Sequence, residues 1–115
     1  MTDFRLDKKL IISANQRFNK IFKSGRRFSS RHFLLIVVTA EDKKIGFAVS
    51  KKTRGAIKRN RARRRMKETI RLNQKCLPDK SNVILMAKPG VERVQYKLLS
   101  EELIGLFCKL DPKRE

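Results

Sequence analysis

The residues able to do chemistry fall into two unequal sets. Acid–base candidates are sparse. His32 is the only histidine, and Glu101 and Glu102 are neighbours that a helix would aim about 100° apart, so they cannot work as a pair. Glu41 and Asp42 suit an exposed turn better than a metal site. Cys76 and Cys108 are the only cysteines, with no CxxC or Cys/His ligand spacing, and are expected to be two buried, reduced thiols rather than a disulfide. The sequence has no glycine-rich phosphate loop and no nucleophile elbow. The expected sets of catalytic residues and metal ligands in this chain are therefore both empty.

The second set is cationic, and its chemistry is binding. Residues 54 to 71 read RGAIKRNRARRRMKETIR, with nine Lys or Arg against the single acid Glu68. Adding Lys51 and Lys52 gives eleven basic residues and one acid in 51–71, a local charge of +10 within a chain total of +19. More than half of the excess charge sits in 21 residues, and an imbalance of this kind selects polyanionic partners through counterion release and steering. A Lys/Arg run is often only a solvated tail or a localisation patch. This one lies between predicted strands and carries its own apolar stripe, Ala62, Met66 and Ile70 at i, i+4 and i+8, with Thr69 alongside. The stripe anchors one face while Arg61, Arg64 and Arg71 point away, with Asn60 and Lys67 beside them. Arg61/Arg65 and Lys67/Arg71 are like-charge i, i+4 pairs, each costing a helix a few tenths of a kcal/mol. A packed helix that tolerates this repulsion presents its charge to a partner; an acidic protein or a membrane surface is the weaker reading.

The elements that must position this helix follow from periodicity. SANQRFNKIFKSG places a short helix between Ser13 as N-cap, with Gln16 completing a capping box, and Gly25 as its stop. Phe18 and Phe22 share one face of it, with Ile21 beside them. FLLIVVTA (33–40) and IGFAVS (45–50) flank the polar turn Glu41–Lys44, a hairpin signal. Ala56–Asn73 is the basic helix, NVILMA (82–87) a third strand closed by Pro89–Gly90, and Leu99, Leu103, Leu106, Phe107 and Leu110 form the stripe of a last helix. The order α-β-β-α-β-α is an α+β sandwich, helices on a small sheet, in one domain spanning 1–115 with a mobile segment at 1–9. MTDFRLDKK lacks the apolar core of a signal peptide, and the longest apolar run, Phe33–Val38, falls far short of the roughly 20 residues that span a bilayer. The expectation is a soluble, cytoplasmic chain with no membrane role.

A helix-turn-helix reader of DNA would place a short helix directly before the basic one, whereas here a strand, Ile45–Ser50, precedes it. Arg over Lys in 58–67 favours bidentate phosphate grips and stacking on exposed bases. If the Phe18/Phe22 pair borders an open sheet face it suits a flexible single strand; by spacing alone, core packing explains those rings better.

IGFAVSKK followed by AIKRNRARRRMKETIR resembles the signature of the bacterial ribonuclease P protein component, with its Arg-Asn-Arg motif at Arg59-Asn60-Arg61. RFNKIFKSG, HFLLIVV and VILMAKPGV extend the resemblance over roughly residues 8–110. It implies a fold like the second domain of ribosomal protein S5, with a left-handed β-α-β crossover in place of the usual right-handed one. It implies that a catalytic RNA subunit removes the 5′ leader of precursor tRNA with bound Mg²⁺, while this endoribonuclease's protein subunit binds that RNA and the leader and needs no obligatory protein partner. By the resemblance Arg59, Asn60, Arg61, Arg63, Arg64 and Lys67 face the RNA, joined by Lys51, Lys52 and Arg71, and Phe18, Phe22, Ile36 and Lys88 belong to the leader cleft. The chain departs from the family pattern at Arg54-Gly55, where Gly-Asn is common, at Ile36, where several members have Tyr, and at Arg65, where the position is often apolar. A ribosomal or ribosome-assembly protein would use a similar basic surface without a leader cleft, and a protein-only nuclease is disfavoured by the acid–base inventory.

Overall fold

The computed structural model describes Ile12 and residues 15–109. The expected N-cap Ser13, the segment 1–9 and Leu110 lie outside the described residues. Three helices, α1 (Asn15–Ser24), α2 (Ala56–Leu72) and α3 (Tyr96–Cys108), pack on four strands, β1 (Arg26–Ser29), β2 (Phe33–Thr39), β3 (Lys44–Val49) and β4 (Ser81–Ala87). Short 3₁₀ turns at Gln74–Cys76 and Val91–Arg93 complete the path.

Strand alternation divides the sheet into two apolar faces. Phe33, Leu35, Ile45, Val49, Val83, Leu85 and Ala87 point to the main core, where they meet Ala62, Met66 and Ile70 of α2 and Leu99, Leu103, Leu106 and Phe107 of α3. Ile36 and Ile84 point to the opposite face, where Ile21 of α1 covers them, with Phe18 and Phe22 at the margin.

The expected hairpin between β2 and β3 does not form. The sheet order is β1-β2-β4-β3, so β4 inserts between them, antiparallel to β2 and parallel to β3. The reason lies in β4 itself: Asn82, Val83, Ile84 and Leu85 are all buried, and a strand apolar on both faces needs cover on both faces. The link from β2 to β3 passes over the start of β4, where the Ala40 N–H donates to the Lys80 carbonyl at 2.9 Å. The strand β1 is an addition to the expected order, too short and too rich in arginine to signal itself. It pairs only with β2, and its charges suit an edge.

The hand of the β3–α2–β4 connection follows from residue chirality. With β3 pointing up and the Ile45 side chain facing a viewer on the α2 side, an L-residue's carbonyl points right. That carbonyl accepts the Ile12 N–H at 2.8 Å, whereas the N–H of Ser50, of opposite parity, donates to the carbonyl of Ala87, the last residue of β4. Thus β4 lies to the left, and the crossover is left-handed.

Two glycines set helix ends. The Gly25 N–H donates to the Ile21 carbonyl at 2.8 Å, and a Cβ at 25 would lie 2.5 Å from Ile36 Cγ2, so only glycine lets α1 turn into β1 against the sheet. Gly55 precedes α2 with φ +91°, a conformation that side-chain-bearing residues avoid.

Candidate nucleic-acid interface

The basic helix is moored as its stripe predicts. Ala62, Met66, Thr69 and Ile70 are buried, and the Thr69 hydroxyl donates to the Arg65 carbonyl at 2.7 Å. At its C-terminal end, Asn73 Nδ2 donates to the Thr69 carbonyl at 2.7 Å and to Ser100 Oγ of α3 at 3.0 Å. Burying Met66 and Ile70 contributes about 1.5–3 kcal/mol each, which outweighs like-charge repulsion of a few tenths per pair.

Opposite the anchor, Asn60, Arg61, Arg63, Arg64 and Lys67 are exposed, as are Lys51 and Lys52 on the turn before the helix. Among the described residues Arg61, Arg63 and Arg64 have no carboxylate partner. Near the first turn of α2, Lys52, Arg54, Lys58 and Arg93 surround a cleft of about 460 Å³, with Thr53 and Glu92 in its wall. The surface can take several phosphates at once.

Two expected RNA-facing residues are otherwise engaged. Arg59 turns back, and its guanidinium donates to the Ser50 carbonyl at 3.1 Å and the Thr53 carbonyl at 3.3 Å. The Arg-Asn-Arg triplet is thus divided: Arg59 fixes the β3–α2 turn, while Asn60 and Arg61 face out. Arg71 holds Glu68 with Nε at 2.8 Å and a terminal nitrogen at 2.5 Å. These hydrogen bonds lower the Glu68 pKa below its ordinary value. Arg65, half-buried, lies over the ring of Tyr96 with its guanidinium carbon 4.5 Å from the centroid.

On the other sheet face, Phe18 and Phe22 stack with centroids 6.4 Å apart and planes 17° off parallel. Both are half-buried. Phe18 lies over Gly46, where a Cβ would come within 3.1 Å of the ring. The Arg27 guanidinium sits 5.0 Å above Phe22 and donates to the Phe22 carbonyl at 2.7 Å. Next to α1, the row Ser29, Leu34, Met86 and Ala48 crosses the sheet on this same face, with Leu34, Met86 and Ala48 half-buried. Ile36 has no exposed surface and forms the floor under α1 rather than a contact. Lys88 is half-buried, its ammonium donating to Ser29 Oγ and to the Ser30 carbonyl, the latter at 2.6 Å.

The acid–base inventory has a structural use that residue spacing did not suggest. Glu102 of α3 accepts from the His32 N–H at 2.6 Å and the Ser30 hydroxyl, and lies 2.8 Å from His32 Nδ1. Burial alone would raise the Glu102 pKa, but hydrogen bonds from Ser30 and His32 outweigh it and lower the value. Glu101 is exposed, so the two acids do diverge. Both cysteines are free, but Cys108 is exposed and Cys76 half-buried; the expectation of two buried thiols is corrected, since 108 lies off the Leu103–Phe107 stripe. Among the described residues no group of three or more His, Cys, Asp or Glu could hold a metal ion, and no helix is long and apolar enough to cross a membrane.

Comparison with known proteins agrees with this architecture. A family model described as Ribonuclease P matches residues 6–111. The chain is 30% identical over 110 residues to the ribonuclease P protein component of Finegoldia magna, covering 95% of this chain and 97% of the relative. It is 31% identical over 112 residues to that of Syntrophobacter fumaroxidans, covering 94% and 92%. In fold it is similar to the RNase P protein of Staphylococcus aureus, with TM-score 0.73 at 20% identity over 89% of this chain and 95% of the other. The RNase P protein from Thermotoga maritima gives TM-score 0.72 at 21% identity over 93% and 97%.

Proposed function

From the premise that this chain belongs to the ribonuclease P protein family, and so to the ribonucleoprotein nuclease of tRNA 5′ processing, we propose how its surfaces divide the work. The exposed side of α2 and the turn before it dock on the ribonuclease P RNA through phosphate contacts. Asn60, Arg61, Arg63, Arg64 and Lys67 carry these contacts, with Lys51 and Lys52 at the edge. The cleft between α1 and the sheet receives the single-stranded 5′ leader of precursor tRNA. There Phe18 and Phe22 supply aromatic surface, the half-buried row Leu34, Met86 and Ala48 is the floor, Ile36 supports α1 from beneath, and Lys88 stands at the far rim.

The observation that carries this reading is the row Arg61, Arg63 and Arg64, without a carboxylate partner among the described residues, on a helix whose opposite face is locked into the core. A rigid array places several charges at once on a folded polyanion, and each phosphate neutralised releases counterions. Leader binding on the opposite sheet face lets one small protein hold both RNAs without their competing for the same surface.

Bond hydrolysis is assigned to the RNA. His32 Nδ1 and the Glu102 carboxylate engage each other, the carboxylate also accepts from the β1–β2 turn, and Glu68 is held by Arg71. Among the described residues no group of three or more His, Cys, Asp or Glu gathers, which supports leaving Mg²⁺ mainly to the RNA. In this reading the RNA binds the metal, and the protein positions the substrate.

The test adds purified protein to a bacterial ribonuclease P RNA at low Mg²⁺ and physiological salt, with precursor tRNA as substrate. Restored 5′-end cleavage is the expected result. Binding to ribosomal RNA with no effect on cleavage would transfer the basic surface to a ribosome-assembly role.

A further inference from the structure

We propose that Arg65 and Tyr96 form a stacking shelf for one unpaired base of the catalytic RNA, with Arg61 and Arg64 holding the phosphates beside it. This inference rests on the reading of α2 as the RNA-docking helix, and it adds a mode of recognition that phosphate contacts alone do not supply.

The geometry has three parts. First, the Arg65 guanidinium lies over the Tyr96 ring at 4.5 Å. Cation–π attraction favours this arrangement, so the planar group is biased towards the ring before any ligand arrives. Second, Arg61, Arg64, Arg65 and Tyr96 line a cup of about 230 Å³. That is below the roughly 300–1,000 Å³ of drug-sized pockets and suits a single planar heterocycle. Third, charge in the cup is uncompensated. The acid that follows it on the helix, Glu68, is occupied by Arg71, and among the described residues Arg61, Arg64 and Arg65 have no carboxylate partner.

These features select the ligand. A phosphate alone would need only flexible cations, and a solvated arginine would serve. A guanidinium plane pinned against an aromatic ring offers a flat surface as well as charge, the pairing on which splayed-out bases stack. A base inside a duplex has both faces covered, so the shelf takes an unpaired one. Topology then assigns the strand: α2 and α3 lie on one face of the sheet and α1 on the other. The base therefore belongs to the RNA docked on α2, not to the leader beside Phe18.

The two parts of the shelf come from different elements. Arg65 is in the middle of α2 and Tyr96 opens α3, and the Asn73–Ser100 hydrogen bond ties these helices together. The shelf is thus built on the rigid core rather than on a loop.

The test measures affinity of the full chain for ribonuclease P RNA against salt concentration, for the unaltered protein, Tyr96→Leu, Arg65→Lys and Arg61→Ala. Tyr96→Leu removes the ring, and Arg65→Lys keeps the charge while removing the plane. Each is expected to weaken binding about tenfold with the salt slope unchanged, because stacking releases no counterions. Arg61→Ala is expected to flatten the slope by about one unit. Ultraviolet cross-linking of the unaltered complex is expected to join Tyr96 to an unpaired nucleotide. If Tyr96→Leu and Arg65→Lys bind as tightly as the unaltered chain while Arg61→Ala is weakened, the shelf is refuted and the docking helix stands. If the unaltered chain fails to bind this RNA, both fall. Equal losses of affinity for polyglutamate would reassign the cup to an acidic peptide. Thermal melting checks the fold, and Arg65→Lys, which keeps the buried stem, decides the matter should Tyr96→Leu unfold.

Discussion

Arg59 gives a hydrogen bond to the carbonyl of Ser50, nine residues earlier, at 3.1 Å. A motif arginine in an apparently uniform basic run is thereby committed to shape. It closes the turn that presents Lys51 and Lys52, and it braces the entry to α2 where Gly55 leaves the helix with no side-chain cap.

Arg59 and Arg61 should therefore fail differently. Arg59→Ala removes two hydrogen bonds to the turn and is expected to lower stability by about 1–2 kcal/mol, with little change in the salt slope of RNA binding. Arg61→Ala and Arg64→Ala should leave stability within about 0.5 kcal/mol and reduce the slope by about one unit each. Denaturant titration paired with binding at several salt concentrations separates the two patterns. A slope left unchanged by Arg61→Ala would mean that it touches no phosphate.

Phe18 has both a packing and a binding assignment. Phe18→Leu keeps apolar cover over Gly46 but removes the ring, so the fold should survive. Affinity for precursor tRNA should drop about five- to tenfold through lost base stacking, with mature tRNA bound as before. Equal losses for the two substrates would return Phe18 to a purely structural role.

The Glu102 carboxylate should make stability fall in acid. Its folded pKa is lowered from the ordinary 4.5, so between the two values the unfolded chain binds more protons than the folded one. The contribution is complete above about pH 4.5 and is lost as pH falls through the lowered value. Glu102→Gln is expected to cost about 1–2 kcal/mol at neutral pH and to remove part of this acid dependence. Urea midpoints from pH 3 to 7 provide the check, with parallel curves for both proteins as the contrary result.

One substitution type should have opposite signs at two glycines. Gly25→Ala forces a methyl to within 2.5 Å of Ile36 Cγ2 and 2.8 Å of the Ile21 carbonyl, and overpacking of this kind costs about 1–3 kcal/mol. Gly105→Ala, inside α3 with nothing within 4 Å of the new methyl, should add about 0.5–1 kcal/mol. Melting temperatures report both.

What was legible in the sequence was mostly periodic. The stripe Ala62, Met66 and Ile70 showed which side of α2 is buried, and Leu99, Leu103, Leu106 and Phe107 did the same for α3. Strand pairing was not legible, because the turn Glu41–Lys44 looks like a hairpin loop when nothing indicates that a strand forty residues later will part its arms. The signal was nevertheless present in VIL (83–85), whose unbroken apolar character fits a central strand. Arg59 could have been identified too: it lies three residues before Ala62 and seven before Met66, on the buried side. The contacts of Glu102 with His32 and Ser30 join segments some seventy residues apart, and no local pattern encodes such a meeting.

The insertion of β4 has a consequence for the order in which the molecule can assemble. The segment translated last among the strands is the one that joins the others, so a nascent chain ending before Ser81 holds only the β1–β2 ribbon and a detached β3. Its interior has no floor, and the arginine helix has no base on which to settle. The local charge of +10 in 51–71 is thus synthesised well before β4, the strand that completes the sheet on which α2 packs.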